Sequence, residues 1–116
     1  MIHYSFNKKD NHQITTVEIL GHANYATKGL DIVCASVSTA IIVTLNSLEI
    51  LGYKKEISYV LKENFFHLDV LTFHNKNLLL LLDNLEYTLD NLNTQYQKHF
   101  QKYLNSSIFK RKRRLN

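Results

Sequence analysis

The 116-residue chain is 45% hydrophobic and contains one cysteine, no tryptophan and no proline, which suits a single small domain and leaves no room for a second. One cysteine excludes an internal disulfide, and Met1–Lys9 lacks the charged start and apolar core of a secretory leader, so the expected compartment is the reducing cytoplasm. The formal charge of +4 misleads: Lys110-Arg111-Lys112-Arg113-Arg114 carries five positive charges, and without it nine basic residues stand against ten acidic ones. The expected organisation is a near-neutral domain over residues 1–105 and a basic, disordered tail over 106–116.

In chain order, Ile2, Tyr4 and Phe6 alternate with His3 and Ser5, the pattern of a half-buried strand, and the polar run Asn7–Asn11 reads as a turn. A β-prone run from Ile14 to Leu20 completes a hairpin and ends at Gly21, where the backbone can bend, with His22 just beyond. After a short polar loop, Asp31 precedes a run with no charge before Glu49, the signature of an N-cap opening a helix. Its polar residues are scattered around the helix, which predicts a buried helix that Gly52 stops. A membrane span is the competing reading of this run; the six polar residues within it and the lack of a second apolar stretch argue against it. Lys55–Leu61 and Phe65–Phe73 read as two strands joined by a tight turn at 62–64. From Asn77, leucines at helical spacing predict a long helix whose periodicity continues through Tyr96 and Phe100 towards Tyr103. The order is ββαββα: an α+β single domain with a mainly antiparallel sheet covered by two long helices.

The stretch from Gly21 to Ser38 holds the lone cysteine, two of the three glycines and His22. An Asp31 cap places Cys34 at the third helical position, where the partial positive charge of a first turn favours thiolate. The eleven residues between His22 and Cys34 are enough for the chain to reverse and bring the two together. A thiolate–imidazolium nucleophile would result, with free amides of the helix start to hold an oxyanion. Asp31 is open between helix cap and third member of a triad. Ser38, one turn beyond Cys34, is open between a bond near the thiol and one back to the Cys34 carbonyl. His3, His12, His67, His74 and His99 have no such context.

These residues, Gly21-His22-Ala followed by Gly29-x-Asp31-Ile-Val-Cys34-Ala-x-Val-Ser38, resemble the signature of the ribosomal-processing cysteine protease family, Prp. The resemblance implies a bacterial cysteine endopeptidase that removes the N-terminal extension of protein twenty-seven of the large ribosomal subunit, cutting after an aromatic residue and before a small one. It also implies Cys34 as nucleophile, His22 as proton-transfer group, an aromatic-binding pocket beside Cys34, a substrate flap bracketed by Gly21 and Gly29, and a homodimer. The second half departs from the family's pattern, since Tyr96 is followed by Gln97 where a proline is common, and Asn24 stands where glycine is common.

Other classes remain to be weighed. A noncatalytic ribosome- or RNA-associated protein would use Lys110, Arg111, Lys112, Arg113 and Arg114 on phosphates and leave the thiol as packing. A peroxide sensor would need the thiolate without His22. No paired C-x-x-C or H-x₃-H spacing supports a metal site, so neither a metal nor a cofactor is expected, and no membrane partner.

Overall fold

The computed structural model describes residues 1–27 and 29–104; the basic run Lys110–Arg114 lies outside the described residues. Strands β1 (Ile2–Lys8) and β2 (Ile14–Gly21) form the first hairpin, and helix α1 (Ile32–Ile50) follows. Then come β3 (Ile57–Lys62), β4 (Phe65–Val70), helix α2 (Lys76–Gln95) and a short strand, β5 (Phe100–Tyr103). The strands form one sheet in the order β3-β4-β2-β1-β5. Three pairings are antiparallel and β1 with β5 is parallel, so the sheet is mixed but mainly antiparallel.

The register places Tyr4 opposite Ile19 and Ile19 opposite Phe66, and Phe6 opposite Val17 and Val17 opposite Leu68. These alternate residues share one face of the pleat, and both helices pack on it through Val33, Val37, Ile41, Leu78, Leu82, Leu85 and Leu89. The turn between β3 and β4 has two central residues, and its second, Asn64, takes φ 60°, a left-handed conformation that asparagine tolerates.

Helix α1 opens at the predicted cap, Asp31. At its other end the Gly52 amide donates to the Glu49 carbonyl and the Tyr53 amide to the Leu48 carbonyl. Gly52 has φ 83°, the left-handed turn that ends a helix and favours glycine. The helix is less buried than its composition predicts: Val33, Val37, Ile41, Thr44 and Leu48 form one buried stripe, while Ile32, Ile42, Val43 and Ile50 are exposed. By length and composition alone α1 could cross a membrane; in this fold its buried stripe packs on the sheet and α2.

The second departure is at the end of α2. Helical spacing predicts continuation through Phe100, but the helix ends at Gln95, a 3₁₀ turn spans Gln97–His99, and Phe100 begins β5. The helical period persists with neither glycine nor proline to interrupt it, so the stop comes from tertiary packing. Phe100 is buried and meets the Tyr4 ring edge-on, with centroids 6.1 Å apart. Lys102 bonds Glu86 and Asp90 of α2 at 3.0 and 2.9 Å, and Asp90 accepts the Tyr4 hydroxyl at 2.6 Å. The strand is thereby tied to the helix preceding it. Phe100→Ala should cost about 3–5 kcal/mol, as an emptied aromatic core site does, whereas Gln101→Ala on the exposed side of β5 should be near neutral; urea unfolding of both variants checks the strand, and equal effects would contradict it.

Candidate active site

The end of β2 and the start of α1 converge. At Gly21, φ is 98°, and a Cβ there would run into the Met1 carbonyl oxygen, so only glycine lets the strand end lie this close to the first residue. The Gly21 amide donates to the Asn64 carbonyl at 2.9 Å, and the Met1 amino group bonds the His22 carbonyl. The backbone of the strand end is therefore held by both the neighbouring hairpin and the chain's start.

Asp31 fixes the other side. Its Oδ1 accepts the amides of Val33 at 3.0 Å and Cys34 at 2.9 Å, and its Oδ2 accepts that of Tyr25 at 3.0 Å and, more weakly, that of Ala26 at 3.5 Å. One buried carboxylate thus caps the helix and ties down the loop arriving from His22. Burial opposes the charge, but the amides of Cys34, Tyr25 and Ala26 outweigh it and hold the carboxyl below its ordinary range.

Between these anchors Cys34 Sγ lies 3.7 Å from His22 Nδ1. The Ala23 amide donates to the sulfur at 3.2 Å, and the Asn24 amide donates to the same Nδ1 at 3.2 Å. Asp31 Oδ2 is 4.0 Å from Nδ1 as well. The carboxylate therefore faces the ring nitrogen that faces the thiol, and not the far nitrogen that the orienting member of a triad would hold; the geometry is that of the cap.

Two sequence expectations change here. The thiol is not made more acidic: burial pushes its pKa up, the Ala23 amide opposes this, and the nearby Asp31 carboxylate adds to the rise. The helix-start amides of Val33 and Cys34 are not free for an oxyanion either, because Asp31 occupies them. The amide directed at the sulfur is that of Ala23, in the loop.

The remaining predicted residues lie around this centre. Ser38 is exposed and lines the same cleft as Cys34, while Ser36, Thr44 and Ser47 are the α1 hydroxyls that bond back to carbonyls four residues earlier. Gly29 is exposed at the far end of the loop. The cleft beside the thiol has a volume of about 160 Å³, and Ile19, Val37, Ile41, Leu61 and Phe66 supply much of its apolar lining. His22, Asp31 and Cys34 also form a group whose ligand atoms lie within 4.8 Å of one another. Their acceptor positions are already engaged by backbone amides, which is how a satisfied cap and loop use such atoms. One residue the sequence left among the ordinary histidines belongs here too: His99 Nδ1 lies 2.8 Å from the Ala23 carbonyl. At 76 positions away in the chain, it carries no local signal that could have found it.

The family model for cysteine protease Prp matches residues 1–101. The chain belongs to the cysteine protease Prp family. It is a cysteine protease. No curated protein matches the sequence significantly. Among solved structures, the fold is similar to the essential ribosomal processing protease Prp from S. aureus with a covalently linked product peptide, at TM-score 0.83 and 23% identity over 90% of this chain and 99% of that one. The S. aureus protease with a substrate peptide gives TM-score 0.78 and 22% identity over 90% and 99%. SMU.848 from Streptococcus mutans gives 0.69 and 23% over 92% and 96%.

Because the Asp31 carboxyl titrates below its unfolded value, its stabilisation is complete above the unfolded pKa near 4 and is lost as pH falls towards the folded one. Asp31→Ala should cost about 2 kcal/mol at neutral pH and flatten the acid limb of stability. Asp31→Asn, which retains the oxygen for Val33 and Cys34, should cost less; urea denaturation from neutral to acid pH tests the order, and a costlier Asn would contradict it.

Proposed function

We propose that this protease removes the N-terminal extension of a large-subunit ribosomal protein, protein twenty-seven by the family's resemblance, with Cys34 as nucleophile and His22 as acid–base group. The observation that carries the reading is the 3.7 Å approach of Sγ to Nδ1 at the edge of the apolar cleft. In this reading His22 Nδ1 takes the thiol proton, and the sulfur attacks the scissile carbonyl. The protonated ring then gives its proton to the leaving amine as the carbon–nitrogen bond breaks. Extension and enzyme are left joined as a thioester, which water, deprotonated by the same nitrogen, hydrolyses to free acid and thiol.

The cleft beside the thiol is apolar and matches the aromatic residue expected before the scissile bond. The Ala23 amide, already aimed at the sulfur at 3.2 Å, is a donor available to the oxyanion that forms two bonds away from the sulfur. The S. aureus relative in the comparison holds a covalently linked product peptide, which is in keeping with this chemistry.

Incubation with the extended ribosomal protein, followed by mass analysis of the products, tests the reading. Cys34→Ala and Cys34→Ser should each abolish cleavage with the fold retained, and His22→Ala should slow it by about 10²-fold or more. Turnover by purified Cys34→Ala above background, or an undiminished rate in His22→Ala, would refute the assignment.

A further inference from the structure

The peptide unit joining Ala23 to Asn24 is held at both ends. Its carbonyl faces His99 Nδ1 at 2.8 Å; a carbonyl only accepts, so this nitrogen is the donor. Its N–H donates to His22 Nδ1 at 3.2 Å, the nitrogen that faces Cys34 Sγ at 3.7 Å. The neutral imidazole has one lone pair in the ring plane at Nδ1, and here a backbone amide and the thiol compete for it. Rings support the same arrangement: Tyr25, two residues along the loop, packs edge-on against Tyr96 at 5.6 Å and His99 at 5.5 Å. Asn24 itself adopts φ 55°, a left-handed conformation that asparagine tolerates.

We propose that His99 is a positioning residue of the reaction: by holding the Ala23 carbonyl it keeps the Asn24 amide on His22 Nδ1, and so keeps the Cys34 proton on sulfur until the loop shifts to take a peptide. The segment after α2, where sequence reading expects more helix, thereby controls the availability of the base. The purpose assigned to this latch rests on the protease reading, but its geometry does not.

Alkylation of Cys34 by iodoacetamide tests it without substrate, so absence of cleavage would refute the protease reading and leave this test intact. Cys34 is the only cysteine, which makes the label unambiguous. His99→Phe keeps a ring against Tyr25 and removes the donor; His99→Asn keeps a donor near the position of Nδ1 and loses the ring. The groups facing the thiol are the His22 ring, the Asp31 carboxylate and the Met1 amino group, with Lys62 on the same cleft. These are common to all three proteins, and any charge on His99 is removed equally in both variants.

His99→Phe should alkylate at neutral pH about threefold faster or more, as expected when one modest hydrogen bond stops opposing proton transfer, with its rate profile displaced to lower pH. His99→Asn should follow the wild type. An unchanged or slower His99→Phe, or a His99→Asn displaced as far as His99→Phe, would overturn the proposal. Should His99→Phe fail to fold, amide exchange in the wild type supplies the second readout: the Asn24 amide should be protected relative to those of Ala26 and Thr27, and an equally fast exchange would overturn it.

Discussion

The structure around the thiol depends on one buried carboxylate. Asp31 accepts amides from two directions, Val33 and Cys34 ahead of it and Tyr25 and Ala26 behind it. A helix start leaves several N–H groups without partners, and a loop returning from a strand end has the same problem. Here a single side chain serves both. Because the first set belongs to the helix bearing the sulfur and the second to the loop that follows His22, the carboxylate links the two chain segments whose meeting forms the site. Gly21 completes the link from the sheet side by allowing the strand end to lie against Met1.

The same economy sets the electrostatics. A helix start with free amides would draw a thiol towards thiolate, but here burial pushes the thiol's pKa up, the Ala23 amide offsets this only in part, and the capping carboxylate adds a neighbouring negative charge in the same direction as burial. The site therefore brings its two groups together while disfavouring the charge separation that attack would require. On the protease reading, closing on a peptide must supply what the resting site withholds, by moving the loop that carries Ala23 and Asn24 or by excluding water from the cleft. Since Ala23 and Asn24 contact the sulfur and the imidazole respectively, a shift of these two residues alters both partners together.

Much of this was legible in the sequence because it rests on local rules. Asp31 before an apolar run, Gly52 after one, alternation at Ile2–Phe6, and the turn before Phe65 each act within a few residues, and each element appears where those rules put it. What was not legible is what distant residues impose. Nothing near Tyr96 stops the second helix; burial of Phe100 against Tyr4 and the bonds of Lys102 to Glu86 and Asp90 do so. The exposure of Ile42, Val43 and Ile50 likewise follows from how little of α1 the sheet and α2 cover, which composition does not encode. The acidity of Cys34 is not legible for the same reason: the first-turn argument counts the helix's amides but neither the burial of the thiol nor the carboxylate that occupies those amides. His99, which bonds the Ala23 carbonyl, is distant in sequence and close only in the fold.

The central claim is that a peptide is cut through a covalent bond to Cys34. Acid quenching of the enzyme within the first turnover of an extended ribosomal protein, followed by intact mass measurement and fragment mapping, tests this directly. The account predicts an adduct equal in mass to the released extension less one water, carried on Cys34 as a thioester and released by hydroxylamine. Cleavage with no adduct on Cys34 in the wild type, or with the same products from protein whose Cys34 has been fully alkylated, would contradict it.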